Sequence, residues 1–246
     1  MNVYGGFAKI YDRMMADVSP KKWADYVELL WKTHGFKPDS VLDMACGTGR
    51  ITRLFNKRGY DMTGVDVSEE MLAQARKKGG KNILYLCQDM RDFELYGTVD
   101  AIVCLCDSVN YILEEEELQK FFKLANMYLN PGGMFVFDIN TKHKYSNTLK
   151  NNTFSNVYDD AAYVWENHYD KKSEINEYFV TFFAETESGL YERFEESHIQ
   201  RAYSAEKTEE MLINAGFSNL SKYYGFTLEK PKKNSERIFF MAVKND

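Results

Sequence analysis

The run Val41-Leu42-Asp43-Met44-Ala45-Cys46-Gly47-Thr48-Gly49-Arg50 constrains this chain more than any other stretch. Its first residues read as a buried strand and the next as a turn of small residues. Arg50 then opens a helix reaching Arg58, with Gly59 behind it. A turn built this way lets backbone N–H groups come close to a ligand, with the positive end of a helix dipole behind them. It suits a nucleotide-like cofactor.

The rest of the chain repeats the alternation. Ser19 caps a helix over Lys21 to His34, whose apolar residues Trp23, Tyr26, Val27, Leu30 and Trp31 fall at helical spacing. Strands follow at Ser40–Met44, Asp61–Val67, Ile83–Cys87, Val99–Cys106 and Met134–Ile139. Helices separate them, one opened by Ser68-Glu69-Glu70 and one over Glu114–Leu129 that Asn130-Pro131-Gly132-Gly133 stops. This order predicts an α/β fold with a doubly wound, mostly parallel sheet. From about Tyr145 to Tyr203 the pattern changes to short aromatic and β-branched runs separated by turns, an antiparallel meander. The α/β pattern then resumes with a helix from Ser204 to Ala215 and strands near Ser221–Leu228 and Arg237–Val243. The expected organisation is an N-terminal lid and helix (1–35), an α/β domain (36–144 and 204–246) and a β insertion (145–203).

Composition narrows the function classes. Among 246 residues the net charge is -6, so wide contact with a polyanion is disfavoured. No apolar run approaches the roughly 20 residues that span a bilayer, and Met1 to Gly6 lack the basic-then-apolar pattern of a secretory signal. Both absences point to the cytoplasm. Cys46, Cys87, Cys104 and Cys106 lie in or beside apolar strand-like segments without a C-x-x-C pair, which reads as reduced core thiols and no metal site.

Three strand ends choose among cofactors. Thr52 stands where a dinucleotide G-x-G-x-x-G needs its third glycine, which weakens NAD or FAD, and no Gly-Lys-Ser/Thr follows to make a P-loop. Asp66 ends the second strand, where a carboxylate can accept from both ribose hydroxyls or simply support the next helix. Asp89 ends the third, where it can accept from an adenine amine. Val67, Met71 and Met90 can sandwich the ring, although either methionine alone reads more readily as core.

Together these motifs resemble those of class I S-adenosylmethionine-dependent methyltransferases: Leu42 to Gly49, Gly64-Val65-Asp66-Val67-Ser68-Glu69-Glu70-Met71-Leu72, Gln88-Asp89-Met90, Val99 to Cys104, and Leu129-Asn130-Pro131-Gly132-Gly133. Ala215-Gly216-Phe217 and Arg237-Ile238-Phe239-Phe240 match as well. One departure is Ala45, where many members carry glycine. The start, Tyr4 to Asp12, and the insertion after strand five resemble small bacterial enzymes related to amino-sugar N-methyltransferases and glycine N-methyltransferase. The resemblance implies a seven-stranded Rossmann-like sheet and S-adenosylmethionine as cofactor. It implies that Ala45, Cys46, Gly47 and Gly49 form the turn around the methionyl part, with Asp43 supporting it. By the same resemblance Asp66 binds ribose, Val67 flanks adenine, Asp89 takes the adenine amine, Met90 offers its backbone, and Leu105 and Cys106 face the sulfonium. Tyr11 is a candidate for the methionyl end or for ordering the lid.

The acceptor belongs between strands four and five, the lid and the insertion, where Asp107, Ser108, Asn110, Tyr111, Asn140 and His143 are candidates. His143 is the titratable candidate for a base, and reads more readily as a surface histidine between Lys142 and Lys144. No Asn-Pro-Pro-Tyr follows strand four, which argues against amino-methyltransferases of nucleobases or glutamine. The leading expectation is an enzyme that methylates a small molecule, an amine for preference, as monomer or homodimer. An RNA methyltransferase using Lys142, His143, Lys144 and Lys150, and a cofactor-binding regulatory protein without catalysis, are the alternatives. An NAD-dependent oxidoreductase is the outsider.

Overall fold

The structure, a computed structural model, describes residues 18–186 and 188–245. A helix α1 (Pro20–Thr33) precedes β1 (Ser40–Met44), α2 (Arg50–Lys57), β2 (Asp61–Asp66), α3 (Glu69–Lys77), β3 (Leu84–Cys87) and β4 (Val99–Cys104). A 3-10 turn (Ser108–Tyr111), α4 (Glu115–Tyr128) and β5 (Leu129–Asn140) follow. Then come β6 (Thr153–Val157), β7 (Ala161–Asp170), β8 (Ile175–Glu185), β9 (Tyr191–Arg201), α5 (Ala205–Asn214), β10 (Phe217–Tyr224) and β11 (Arg237–Lys244).

Seven strands form one sheet in the order β10-β11-β5-β4-β1-β2-β3. The run from β5 to β3 is parallel, and β11 pairs antiparallel with both β5 and β10. Both faces are buried, and strand periodicity explains how. Val41, Ala101, Val103, Val136, Phe239 and Met241 pack toward α1 with Trp23, Tyr26, Val27, Leu30 and Trp31. Their neighbours Leu42, Met44, Ile102, Cys104, Phe137 and Phe240 turn the other way, toward Phe121 and Phe122 of α4 and Leu212 of α5. On that side Phe137 stacks on Phe240 with ring centroids 5.0 Å apart. The caps read from sequence act as expected: Ser19, Ser68 and Ser204 accept from the backbone N–H of Lys22, Met71 and Lys207.

The four strands β6 to β9 make a separate antiparallel sheet. Met71 on α3 packs with its Ala161, Val180, Phe182 and Ala184, so this sheet docks against the helix that follows β2. Along β9 the buried residues Glu196, His198 and Gln200 alternate with exposed Glu195, Ser197 and Ile199, which turns three polar side chains inward.

The elements depart from the sequence reading at three places. Asn130 to Gly133 do not lie outside the strand: β5 begins at Leu129, and the register jumps from Val99↔Leu129 to Ala101↔Met134, so these residues loop out of β5. β10 begins at Phe217, directly after the Gly216 that follows α5 and its cap Ala215. Between β5 and β6 a wide helical turn over Lys144–Leu149 buries Tyr145, whose hydroxyl donates to Gln200 Oε1 at 2.9 Å.

Candidate active site

A cavity of about 690 Å³ opens beyond the carboxyl ends of β1, β2, β3 and β4, and β7, β8 and β9 close its far side. Its first wall is the glycine turn. Ala45, Gly47 and Gly49 all sit in the left-handed region, with φ of 58°, 55° and 68°. Cys46 donates its N–H to Val65 O, and Gly49 N–H returns to Cys46 O. Asp43 lies buried beneath and accepts from Thr52 Oγ1 at 2.5 Å. Thr52 thus satisfies a buried acid at the position where a dinucleotide site needs glycine. Burial pushes the Asp43 carboxyl up to about 7, and the Thr52 hydrogen bond opposes that only in part. At the end of β2, Asp66 accepts from Gly47 N–H at 2.7 Å and Ser68 N–H at 2.9 Å, and burial raises it too.

The next wall continues from β2 to β3. Val67 is exposed at the cavity edge, while Met71 is buried and Met90 packs half-buried against the main core. Asp89 reaches the cavity held by a neighbour: both of its oxygens accept from Arg91, which also donates to Glu117. The guanidinium keeps Asp89 below the usual carboxylate range.

The end of β4 is bent by two successive left-handed residues, Cys106 at φ 62° and Asp107 at φ 54°. Non-glycine residues hold such angles only when surrounding contacts over-determine them. Here Asp107 accepts from Arg237 at 2.8 Å and from Gln200 Nε2 at 2.9 Å, and its own N–H donates to Asp138. Arg237 also pairs with the buried Asp138, and its guanidinium lies 5.2 Å from the ring centre of Trp23. Burial raises the Asp138 carboxyl against the opposing pull of Arg237. Two carboxylates therefore share one cation.

The far wall comes from the second sheet: Tyr158, Tyr163, Trp165, Tyr178, Val180, Phe182 and His198. His198 is buried at 7% exposure. Its Nε2 faces Glu196 Oε2 at 3.2 Å, and its Nδ1 faces the Tyr111 hydroxyl at 3.3 Å. The Tyr111 and Tyr178 hydroxyls share a short hydrogen bond, and the Tyr178 ring stacks on the imidazole at 4.8 Å.

Of the residues named from sequence, the cavity gathers Asp43, Ala45, Cys46, Gly47, Asp66, Val67, Met71, Asp89, Met90, Leu105, Cys106, Asp107, Ser108 and Tyr111. Gly49 does not line it. It caps α2, and a Cβ there would stand 2.5 Å from the Tyr85 hydroxyl. Asn110 is fully buried and braces the backbone: its amide donates to Asn140 O and Arg201 O and accepts from Asn140 N–H. The Asn140 side chain accepts from Lys144 instead of facing the cavity. His143 also lies away from it, beside Asn147 at the start of the wide turn. Tyr11 falls outside the described residues. Sequence reasoning missed His198, Arg91, Arg237 and Trp23. The inward alternation Glu196, His198, Gln200 was the available signal for the first of these.

Comparison with known proteins gives one answer. A methyltransferase-domain family model matches residues 41–133. The chain is 36% identical over 248 residues to a Bacillus subtilis (strain 168) protein, YqeM, whose name assigns it provisionally to the methyltransferases. That match covers 99% of this chain and 98% of the other. The crystal structure of an S-adenosylmethionine-dependent methyltransferase from Clostridium acetobutylicum ATCC 824 superposes with a TM-score of 0.87 at 35% identity, covering 100% of both chains. A shorter match, 39% identical over 99 residues, joins 40% of this chain to 41% of dTDP-3-amino-3,4,6-trideoxy-alpha-D-glucopyranose N,N-dimethyltransferase from Streptomyces venezuelae. No helix among the described residues is long and apolar enough to cross a membrane.

Proposed function

Starting from the S-adenosylmethionine-dependent methyltransferases, the family to which this chain belongs, we propose that its acceptor is a small amine, methylated on nitrogen. The cavity's residues fit the cofactor. A carboxylate has about four acceptor sites. Asp66 accepts one bond each from Gly47 N–H and Ser68 N–H, which leaves capacity for a ribose diol. Val67, Met71 and Met90 offer an apolar platform beside it. The volume lies within the roughly 300–1,000 Å³ of small-molecule sites. The described part of the chain would hold the cofactor with the turn Ala45 to Gly47, Asp66 and Asp89, leaving the second sheet for the acceptor. When bound, S-adenosylmethionine supplies a methyl already activated on a sulfonium. The chain's task is then to align nucleophile, methyl and sulfur, which can contribute about 7–11 kcal/mol.

The charge of the cavity carries the amine reading. Six carboxylates line it or stand directly behind its wall: Asp43, Asp66, Asp89, Asp107, Asp138 and Glu196. Among the described residues three guanidinium groups, Arg50, Arg91 and Arg237, line it, and the Lys144 ammonium acts on Asp107 and Asp138 from behind the wall. An acidic, low-dielectric cavity attracts a cation and disfavours a polyanionic RNA strand. The aromatic wall adds ring faces that favour an ammonium. The Streptomyces relative acts, by its name, on the amine of a dTDP-linked sugar, which agrees in the atom methylated.

The test is turnover of an isosteric pair. S-adenosylhomocysteine release with cyclohexylamine and none with cyclohexanol supports the reading. Release with the alcohol alone, or methylation of RNA at low salt with neither small molecule turned over, overturns it.

A further inference from the structure

His198 lies on the insertion, outside the strand-four and strand-five ends where the acceptor residues were sought, and its setting is more than a packing contact. Both ring nitrogens are committed in a defined order. Glu196 has a carboxylate oxygen at Nε2, so the tautomer that satisfies both carries its proton on Nε2 and leaves Nδ1 as an acceptor. Tyr111 stands at Nδ1, and Tyr178 stands at the Tyr111 oxygen. One consistent direction runs through the set. The Tyr178 hydroxyl donates to Tyr111, Tyr111 donates to His198 Nδ1, and His198 Nε2–H donates to Glu196. Tyr111, Tyr178 and His198 all line the cavity.

We propose that Tyr178, Tyr111 and His198, backed by Glu196, form the route by which a protonated amine acceptor loses its proton before methyl transfer. The proposal rests on the amine reading above. An aliphatic amine reaches the protein as an ammonium, whose nitrogen has no lone pair to attack with. Its proton passes to a phenol oxygen of the chain, and the hydroxyl protons hop in the same direction, the last arriving at His198 Nδ1. The imidazole becomes a cation beside the Glu196 carboxylate, which stabilises it in the buried site. The freed nitrogen pair forms the N–C bond as the C–S bond breaks, and the electrons of that bond stay on sulfur. The sulfonium charge ends on the methylated nitrogen, and the His198 proton returns to solvent when the products leave.

Among the described residues three charged or titratable groups meet the imidazole from the elements packed around it: Glu196 of β9, Tyr178 of β8 and Tyr111 of the 3-10 turn. Glu196 brings a carboxylate into direct contact with it. Burial raises its carboxyl and the contact with His198 opposes the rise, as expected of a pair that shares a proton demand.

A fastening role alone, tying β9 to the turn after β4, would serve every acceptor equally. A proton route serves only acceptors that arrive protonated. The full chain is assayed with two amines of similar size, cyclohexylamine (an ammonium at neutral pH) and aniline (largely neutral). For His198→Gln, kcat/KM with cyclohexylamine is expected to fall by about 10²–10⁴-fold, the usual contribution of a positioned base. Its residual turnover of cyclohexylamine is expected to keep rising with pH as free amine becomes available in solution, and aniline turnover to stay close to wild type. Tyr111→Phe, which keeps the ring and removes the hydroxyl, is expected to show the same selectivity. Calorimetric titration with S-adenosylhomocysteine and thermal melting check that each variant is folded and holds the product. Equal losses on both amines, or undiminished cyclohexylamine turnover in both variants, overturns the proton route and leaves the amine reading standing. Wild-type protein that binds S-adenosylhomocysteine and methylates neither amine overturns the amine reading itself.

Discussion

Replacing Asp66 with asparagine separates two jobs that one carboxylate performs. In the structure its oxygens accept from Gly47 N–H at 2.7 Å and Ser68 N–H at 2.9 Å, tying the glycine turn to the end of β2. Its remaining acceptor sites face the cavity and suit a ribose diol. Asparagine keeps the shape but turns one oxygen into a donor. A hydrogen bond to a charged group contributes about 1.5–3 kcal/mol. Loss of one to the ribose therefore weakens binding of S-adenosylhomocysteine by about 10- to 150-fold. Stability changes less. One backbone N–H loses its partner, at a cost of about 1–3 kcal/mol. Against that, burial already raises the Asp66 carboxyl, so the folded protein holds this charge at an energetic disadvantage that asparagine removes. Calorimetric titration with S-adenosylhomocysteine and urea unfolding, on the same preparations, give both numbers. Unchanged affinity combined with a clear loss of stability would refute the ribose assignment and reduce Asp66 to a brace for the turn.

The turn and its supports yield further expectations. Gly49→Ala forces a left-handed Cβ to within 2.5 Å of the Tyr85 hydroxyl and should cost about 2–5 kcal/mol by unfolding. Gly47→Ala meets nothing within 4 Å and should cost only the backbone part, about 1–2 kcal/mol. Ala45→Gly relieves a left-handed alanine at φ 58° and should raise stability by up to about 1 kcal/mol; a loss would show that the Ala45 methyl packs. The Asp43 carboxyl lies near 7 in the folded chain and at 3.8 when free in water, so between these values the folded state binds the extra proton. Its contribution to stability therefore falls as pH rises through that window, by at most about 1.4 kcal/mol per unit. Unfolding curves of Asp43→Asn against wild type should show a gap that moves in the variant's favour from about pH 4 to about pH 7 and then levels; a gap independent of pH would contradict the burial of a titrating acid there.

What sequence could reveal follows from how local each signal is. The β-strand to glycine-turn to helix segment is contiguous, so its geometry and the strand-end acids Asp66 and Asp89 were readable from spacing alone. The order of the α/β elements was readable for the same reason, because caps and periodicity are properties of neighbouring residues. Two things were not. Whether Asn130 to Gly133 end an element or loop out of one depends on pairing with Val99 and Ala101 in β4, a register that no single strand encodes. The acceptor side depends on how the second sheet folds back: His198, Tyr178 and Tyr111 lie 20 to 87 positions apart in the chain and meet only through that docking. His143 drew attention because it follows β5 directly, but the wide turn over Lys144–Leu149 carries it away from the cavity, and Asn110 is spent on backbone amides of β5 and β9. Arg237 was quoted within a strand motif, yet its pairing with Asp107 and Asp138 arises from β11 lying antiparallel beside β5.

The most direct test of nitrogen methylation sets both nucleophiles in one molecule. The full chain is incubated with trans-2-aminocyclohexanol and S-adenosylmethionine carrying a carbon-13 methyl, and the product is read by carbon-13 NMR. The account predicts the labelled methyl on nitrogen, with the hydroxyl untouched. A methyl on oxygen would contradict it, because neither the acidic cavity nor the Tyr178–Tyr111–His198 route would then serve the reaction.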